Sequence, residues 1–253
     1  MLFSARTLFL SLVAVCCLSA YSVAAPIVLF DESHGQQFLI GKNGPLDLSE
    51  LAELYQVNDI SVISRSDALT KELLASIDVL VLSGPFLSLT DSEVADMIDF
   101  IDAGGGLAIM LHIAPPMRGL LHRLDVDFTN GTLRETSQLV EGNPINFKVS
   151  VLADHPVTTG LESFSVYGVW ALRGTASHTR ILAETSQHGW VDLNHDNQLS
   201  NGDAVQRFGV MVAGKIGQGR YVVLGDDALF QNRFLDEDNR QLALQLVSWL
   251  ASE

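Results

Sequence analysis

The chain has 253 residues, 47% of them hydrophobic, with 30 acidic against 15 basic side chains and a formal charge of −15. The length allows one large domain or one domain with an appendage, and the charge disfavours nucleic acid and anionic membrane surfaces as partners. Both cysteines, Cys16 and Cys17, lie near the start, which excludes a thiol nucleophile, a disulfide or a cysteine metal ligand from residue 25 onward.

The first 24 residues read as a secretory signal peptide. Arg6 supplies the positive n-region, LFLSLVAVCCLSA the apolar h-region and SVA a small-residue cleavage site. The apolar run is short of the about 20 residues a spanning helix needs, so no transmembrane segment is expected after cleavage. The expected location is therefore periplasmic or secreted, with residues 25–253 as the mature domain.

From there, short apolar runs alternate with helical patterns. PIVLF (26–30) reads as a buried strand ending at Asp31, and LDLSELAELYQ carries Leu48, Leu51, Ala52 and Tyr55 at helical intervals. ISVIS (60–64) is β-branched, DALTKELLAS is a short helix, and DVLVLSG (78–84) is a third strand. In TDSEVADMIDFIDAGGG, Thr90 and Glu93 form a capping box, and Gly104 or Gly105 ends the helix. LAIML (107–111) is a fourth strand. From about 126 to 212 strands and turns dominate, including FSVYGVWAL and RILAET. GRYVVLGD (219–226) returns to a buried strand, and DEDNRQLALQLVSWL closes as an amphipathic helix. The order predicts an α/β domain: a parallel sheet with helices on both faces, carrying a β-rich insertion at about 126–212.

In open parallel sheets, ligands bind outside the carboxyl ends of the strands. That rule gathers Asp31, Glu32 and His34 after the first strand and Ser83, Gly84 and Pro85 after the third. It adds His112 after the fourth, and Asp226, Asp227 and Asn232 after the last. A histidine with carboxylates serves as a general base with its orienting partner, or as a metal-ligand set. The plainer reading makes Asp31 and Asp226 turn caps and His112 a partner of a neighbouring loop.

FIDAGGGLAIMLH, followed much later by DHPVTTGLESF, resembles the class I glutamine amidotransferase-like superfamily, especially its trehalose-utilisation-like branch. VLFDESHGQ and GRYVVLGDDALFQN are similar to segments of a related group of uncharacterised exported or membrane-tethered proteins. The resemblance spans nearly the whole mature chain and implies a flavodoxin-like (amidotransferase-like) scaffold. It also implies a cysteine nucleophile at the elbow, with a histidine and a glutamate near the C-terminus. Here His112 or a close neighbour stands at the elbow, and GDDALFQNRF holds no His-x-Glu pair. The scaffold is thus expected without amidotransferase chemistry. His155, in DHPVTTGL, reads as part of an ordered connector.

DLNHDNQLSNGD (192–203) spaces oxygen-bearing side chains at positions 1, 3, 5, 9 and 12: Asp192, Asn194, Asp196, Ser200 and Asp203. The Gln198 carbonyl at position 7 completes a set suited to calcium. Asn197 replaces the usual glycine and Asp203 the usual glutamate, and the flanks read as strands, so a structural calcium loop is expected. Its rival is an Asx-rich turn that satisfies its own backbone.

The sequence thus points to an exported, non-catalytic domain binding a small molecule or protein partner at the strand-end face. The alternative is a carbohydrate-related enzyme using His112 with Asp31, His34 or Asp226. Under that alternative, His34, His112 and Asp226 should converge around one pocket.

Overall fold

The computed structural model describes residues 25–252; the signal-like segment 1–24, with Cys16 and Cys17, lies outside them. The first half alternates β1 (Ile27–Asp31), α1 (Ser49–Gln56), β2 (Ser61–Arg65), α2 (Lys71–Leu74), β3 (Val79–Ser83), α3 (Asp91–Asp102) and β4 (Gly106–Met110). Every residue of β3 and β4 is buried, as continuous apolar runs require when both sheet faces are covered. Side chains sort by the two-residue period of a strand. Val28, Phe30, Val79 and Val81 face Leu51 and Tyr55 of α1. Leu29, Leu80 and Leu82 face Met97 and Ile101 of α3.

After a 3-10 turn (Pro115–Met117) and α4 (Arg118–Arg123), strands follow one another. They are β5 (Val126–Arg134), β6 (Leu139–Val140), β7 (Asn143–Val149), β8 (Val151–Leu152), β9 (Phe164–Tyr167), β10 (Trp170–Gly174) and β11 (Thr179–Glu184). β12 (Trp190–Val191), β13 (Ala204–Val205), β14 (Gly209–Ile216), β15 (Gly219–Leu224) and the closing helix α5 (Glu237–Leu250) complete the chain.

The main sheet has 12 strands, ordered β13-β12-β5-β10-β14-β15-β4-β3-β1-β2, with β11 and β8 branching from β14. Only the β15-β4-β3-β1-β2 portion is parallel. β14 turns back on β15, from Met211↔Leu224 to Ile216↔Gly219, and the strands beyond it are antiparallel. Gly217, at φ 53°, takes the first corner of that hairpin, a conformation side chains resist. β6, β7 and β9 form a separate antiparallel sheet.

This overturns the expected parallel flavodoxin-like sheet. The sheet is mixed and strand-rich, because strands from 126–212 pair along the same sheet through β10 and β14. FSVYGVWAL, expected as one strand, breaks at Gly168 (φ 89°). β9 joins the small sheet, whereas β10 joins the large one. Asn239 of α5, fully buried, ties the small sheet down: its amide donates to the Ser165, Leu229 and Phe234 carbonyls and accepts from Ser165 N. Among the described residues no helix is long and apolar enough to cross a membrane.

Candidate functional site at the strand ends

The carboxyl ends of β1, β3, β4 and β15 bring most of the expected residues together, as two separate histidine–carboxylate clusters rather than one. In the first, Asp31 closes β1 and the chain curls back over it. Asp31 Oδ2 meets His34 Nδ1 at 2.7 Å and accepts from Gln36 Nε2 at 2.6 Å, while Oδ1 accepts from Ser33 Oγ at 2.6 Å and Ser33 N at 3.0 Å. His34 Nε2 lies 3.3 Å from Glu93 Oε1. Burial alone would lower the His34 pKa, but the Asp31 hydrogen bond and charge, then those of Glu93, raise it. Burial likewise works to raise the Asp31 pKa, and the His34 and Ser33 contacts bring it below its usual value. Both His34 nitrogens therefore meet carboxylates, an arrangement that locks a loop and leaves no nitrogen for a substrate.

The second cluster is open. His112 follows β4, with 38% of its side chain exposed, and its Nδ1 sits 3.1 Å from Oδ1 of Asp227, which is buried. The Asp227 hydrogen bond raises the His112 pKa against the opposing effect of burial, with the charges of Asp227 and Asp226 adding to the rise. The rings of Phe38 and Phe86 flank the imidazole at 5.2 and 5.3 Å between centroids. Trp170 Nε1 donates to the His112 carbonyl at 3.1 Å. Among the described residues, Nε2 of His112 has no hydrogen-bond partner. Gly84, at φ 56°, closes the end of β3 against this pair; a side chain there would collide with the Asp227 carboxylate and crowd the His112 Cβ.

Asp226 does not join either histidine. Its Oδ2 accepts from Tyr167 N at 2.7 Å and Oδ1 from Ala228 N at 2.8 Å, the capping role of its plainer reading. Burial, with the charge of Asp227 beside it, pushes its pKa up to about 8. Asn232 serves α1 instead: its Oδ1 accepts from Glu50 N and its Nδ2 donates to Gly44 O and Ser49 Oγ. Ser83 is buried, and neither its Oγ nor Oδ2 of Asp227 finds a partner. The sequence gathers Asp227 with Asp226 but favours the latter as the histidine's helper; adjacent strand-end residues point to opposite sides, and spacing alone does not say which faces His112. Glu93 reads as half of a capping box, and its other oxygen reaches His34. Phe38 carries no signal beyond its aromatic character.

The 192–203 loop joins β12 to β13. His195 and Asn197 adopt φ 62° and 61°, so Asn197 fills the glycine-like position. Asp192 Oδ2 accepts from Asn197 N at 2.9 Å, Asp196 Oδ1 from Gln198 N at 2.8 Å, and Asp203 Oδ2 from Ser200 N at 2.8 Å. Asn194 accepts from Asp196 N and donates to Ser200 Oγ. Arg134 lies across the loop, 2.8 Å from Asn197 Oδ1 and 3.4 Å from Asp192 Oδ2. Oδ1 of Asp192 is buried without a partner. Among the described residues, no three acidic, histidine or cysteine side chains converge on a metal position.

A mixed sheet whose parallel strands end on a histidine–carboxylate face defines the class, and solved structures share it. The N-terminal domain of mmIFT52 superposes with a TM-score of 0.72 at 16% identity, over 90% of this chain and 98% of that one. A ThuA-like protein from Bacteroides uniformis gives 0.57 at 15% identity, over 93% and 96%. A GMP synthase subunit from Thermoplasma acidophilum gives 0.55 at 10%, over 90% and 94%. The last two fit an amidotransferase-like fold. The chain belongs to the DUF4350 family, a domain of unknown function, whose model matches residues 43–247. No curated protein matches it.

Proposed function

We propose that the chain is an exported, non-catalytic domain that binds a small ligand or a partner at the strand ends through His112. The observation that carries this reading is the His112 imidazole, exposed, fixed on one nitrogen by buried Asp227 and walled by Phe38 and Phe86. With Nδ1 held, Nε2 is a donor aimed outward, and the two rings supply the apolar walls common to ligand sites. Acyl transfer is disfavoured: residue 25 onward has no cysteine. The backbone at His112 is outside the left-handed region that strained nucleophile elbows adopt. ThuA-like neighbours support the trehalose-utilisation-like affinity at the level of fold, and residues 1–24 support export.

The test is thermal unfolding of the parent and a His112→Ala variant against a panel of mono- and disaccharides and small carboxylates. At least one compound should raise the Tm of the parent and not of the variant. A compound consumed by the parent alone would move the assignment to a carbohydrate-related enzyme with His112 as base and Asp31, His34 or Asp226 assisting. The base-and-orienter geometry of His112 with Asp227 favours that second reading. If no compound discriminates the two proteins, the binding reading fails.

We also propose that the 192–203 loop takes a structural calcium ion. Its support is the spacing of Asp192, Asn194, Asp196, Gln198, Ser200 and Asp203. The unpartnered, buried Oδ1 of Asp192 adds to it. Arg134 would swing off Asp192 to admit the ion, so calcium should raise the Tm and a chelator lower it.

A further inference from the structure

β10 touches β14 at a single bridge, Leu172↔Gly209, before leaving to pair with β5, while β11 continues along β14. The sheet therefore forks, and the fork holds a cleft of about 390 Å³, near the lower end of the roughly 300–1,000 Å³ range of small-molecule sites. Leu172, Ile181 and Phe208 line it with apolar surface, and Glu184 and Arg207 with charge. A second ion pair at the cleft, Arg173 with Asp127, is already satisfied. Glu184 and Arg207 are not: among the described residues neither side chain has a hydrogen-bond or ion-pair partner, and they are not within 4.0 Å of each other.

We propose that this cleft is a binding site, distinct from the His112 face, for a free α-amino acid with an apolar side chain. Two opposite charges that share a cavity but do not pair leave each requiring a counter-charge, and a zwitterion brings both in one molecule. Its carboxylate meets the Arg207 guanidinium, which forks onto carboxylates in a bidentate manner. Its ammonium meets the Glu184 carboxylate, and its side chain covers Leu172, Ile181 and Phe208, removing apolar surface from water. A purely anionic or cationic ligand satisfies one charge and leaves the other facing a like charge or nothing.

Isothermal titration of the full domain with leucine tests this, beside leucinamide, which lacks the carboxylate, and 4-methylpentanoate, which lacks the ammonium. Leucine should bind, and each analogue should bind about tenfold or more weakly, the loss expected for one charged hydrogen-bonding partner. In Arg207→Gln, leucine and leucinamide should become equivalent; in Glu184→Gln, leucine and 4-methylpentanoate should. Both residues lie at a cleft and neither has a partner to lose, so both variants should keep the parental Tm. His112→Ala should bind leucine as the parent does, which separates this site from the strand-end face. Failure of leucine to bind at millimolar concentration, or binding indifferent to both substitutions, overturns the proposal.

Discussion

Asp226 carries its carboxylate into a buried position where two backbone amides reach it and a second carboxylate stands next in sequence. Its pKa of about 8 in the folded chain lies above the ordinary value of 3.8. Between those values the folded state holds a proton that the unfolded chain releases, so stability falls as pH rises, by up to about 1.4 kcal/mol per pH unit. Asp31 and Glu93 have lowered values, and their contribution is lost only as pH falls into the acid range. His34 is raised above 6.5, so its contribution is present below that value and is lost as pH climbs through its folded pKa. The window between about pH 5 and 6.5 therefore isolates Asp226. Urea unfolding there should show stability declining with pH in the parent and a flat profile in Asp226→Asn; equal slopes would contradict the assigned proton.

At the level of elements, α3 couples packing to the site. Thr90 Oγ accepts from Glu93 N at 3.2 Å, and Glu93 Oε2 accepts from Thr90 N at 2.8 Å, while Oε1 faces His34. Thr90→Ala should cost about 1 kcal/mol by loss of the cap, read as a lower urea midpoint. It should also lower the His34 pKa, read by NMR titration, because Glu93 is no longer fixed beside it. A variant with both quantities unchanged would show the cap to be idle. This helix was legible because its sequence holds both ends, Thr90 with Glu93 and Gly104. The parallel strands were legible as unbroken apolar runs. Strands of two residues, such as β12 and β13, are too short to leave a periodicity. The partners of β5 were illegible for another reason: pairing with β10 joins residues some 40 positions apart, and alternation names a face but never a neighbour.

For the whole molecule, the sequence placed the strand-end residues on one face through a topological rule that applies to the parallel portion. It did not anticipate that His34 and His112 would take separate carboxylates, since which loop folds over which is decided by contacts such as Phe86 N on the His34 carbonyl. The calcium loop has its own global readout. An ion bound only by the folded chain raises the Tm with concentration, so calcium should stabilise the parent and leave Asp192→Ala with Asp196→Ala indifferent. Equal responses would reduce the loop to a turn closed on its own amides.

β15 has a consequence for how the chain is made. It pairs with β4 on one side and β14 on the other, yet more than a hundred residues separate it from β4 in the chain. During synthesis β1 to β4 emerge first, and the edge of β4 stays bare until residues 219–224 arrive. Such an edge, apolar along its whole length, is a template for pairing with another chain. Closure over that span also makes folding slow, since distant contacts must wait on loop entropy. A ribosome-bound or truncated chain ending before Gly219 is therefore the aggregation-prone species of this protein, and delivery of β15 is the event that seals it.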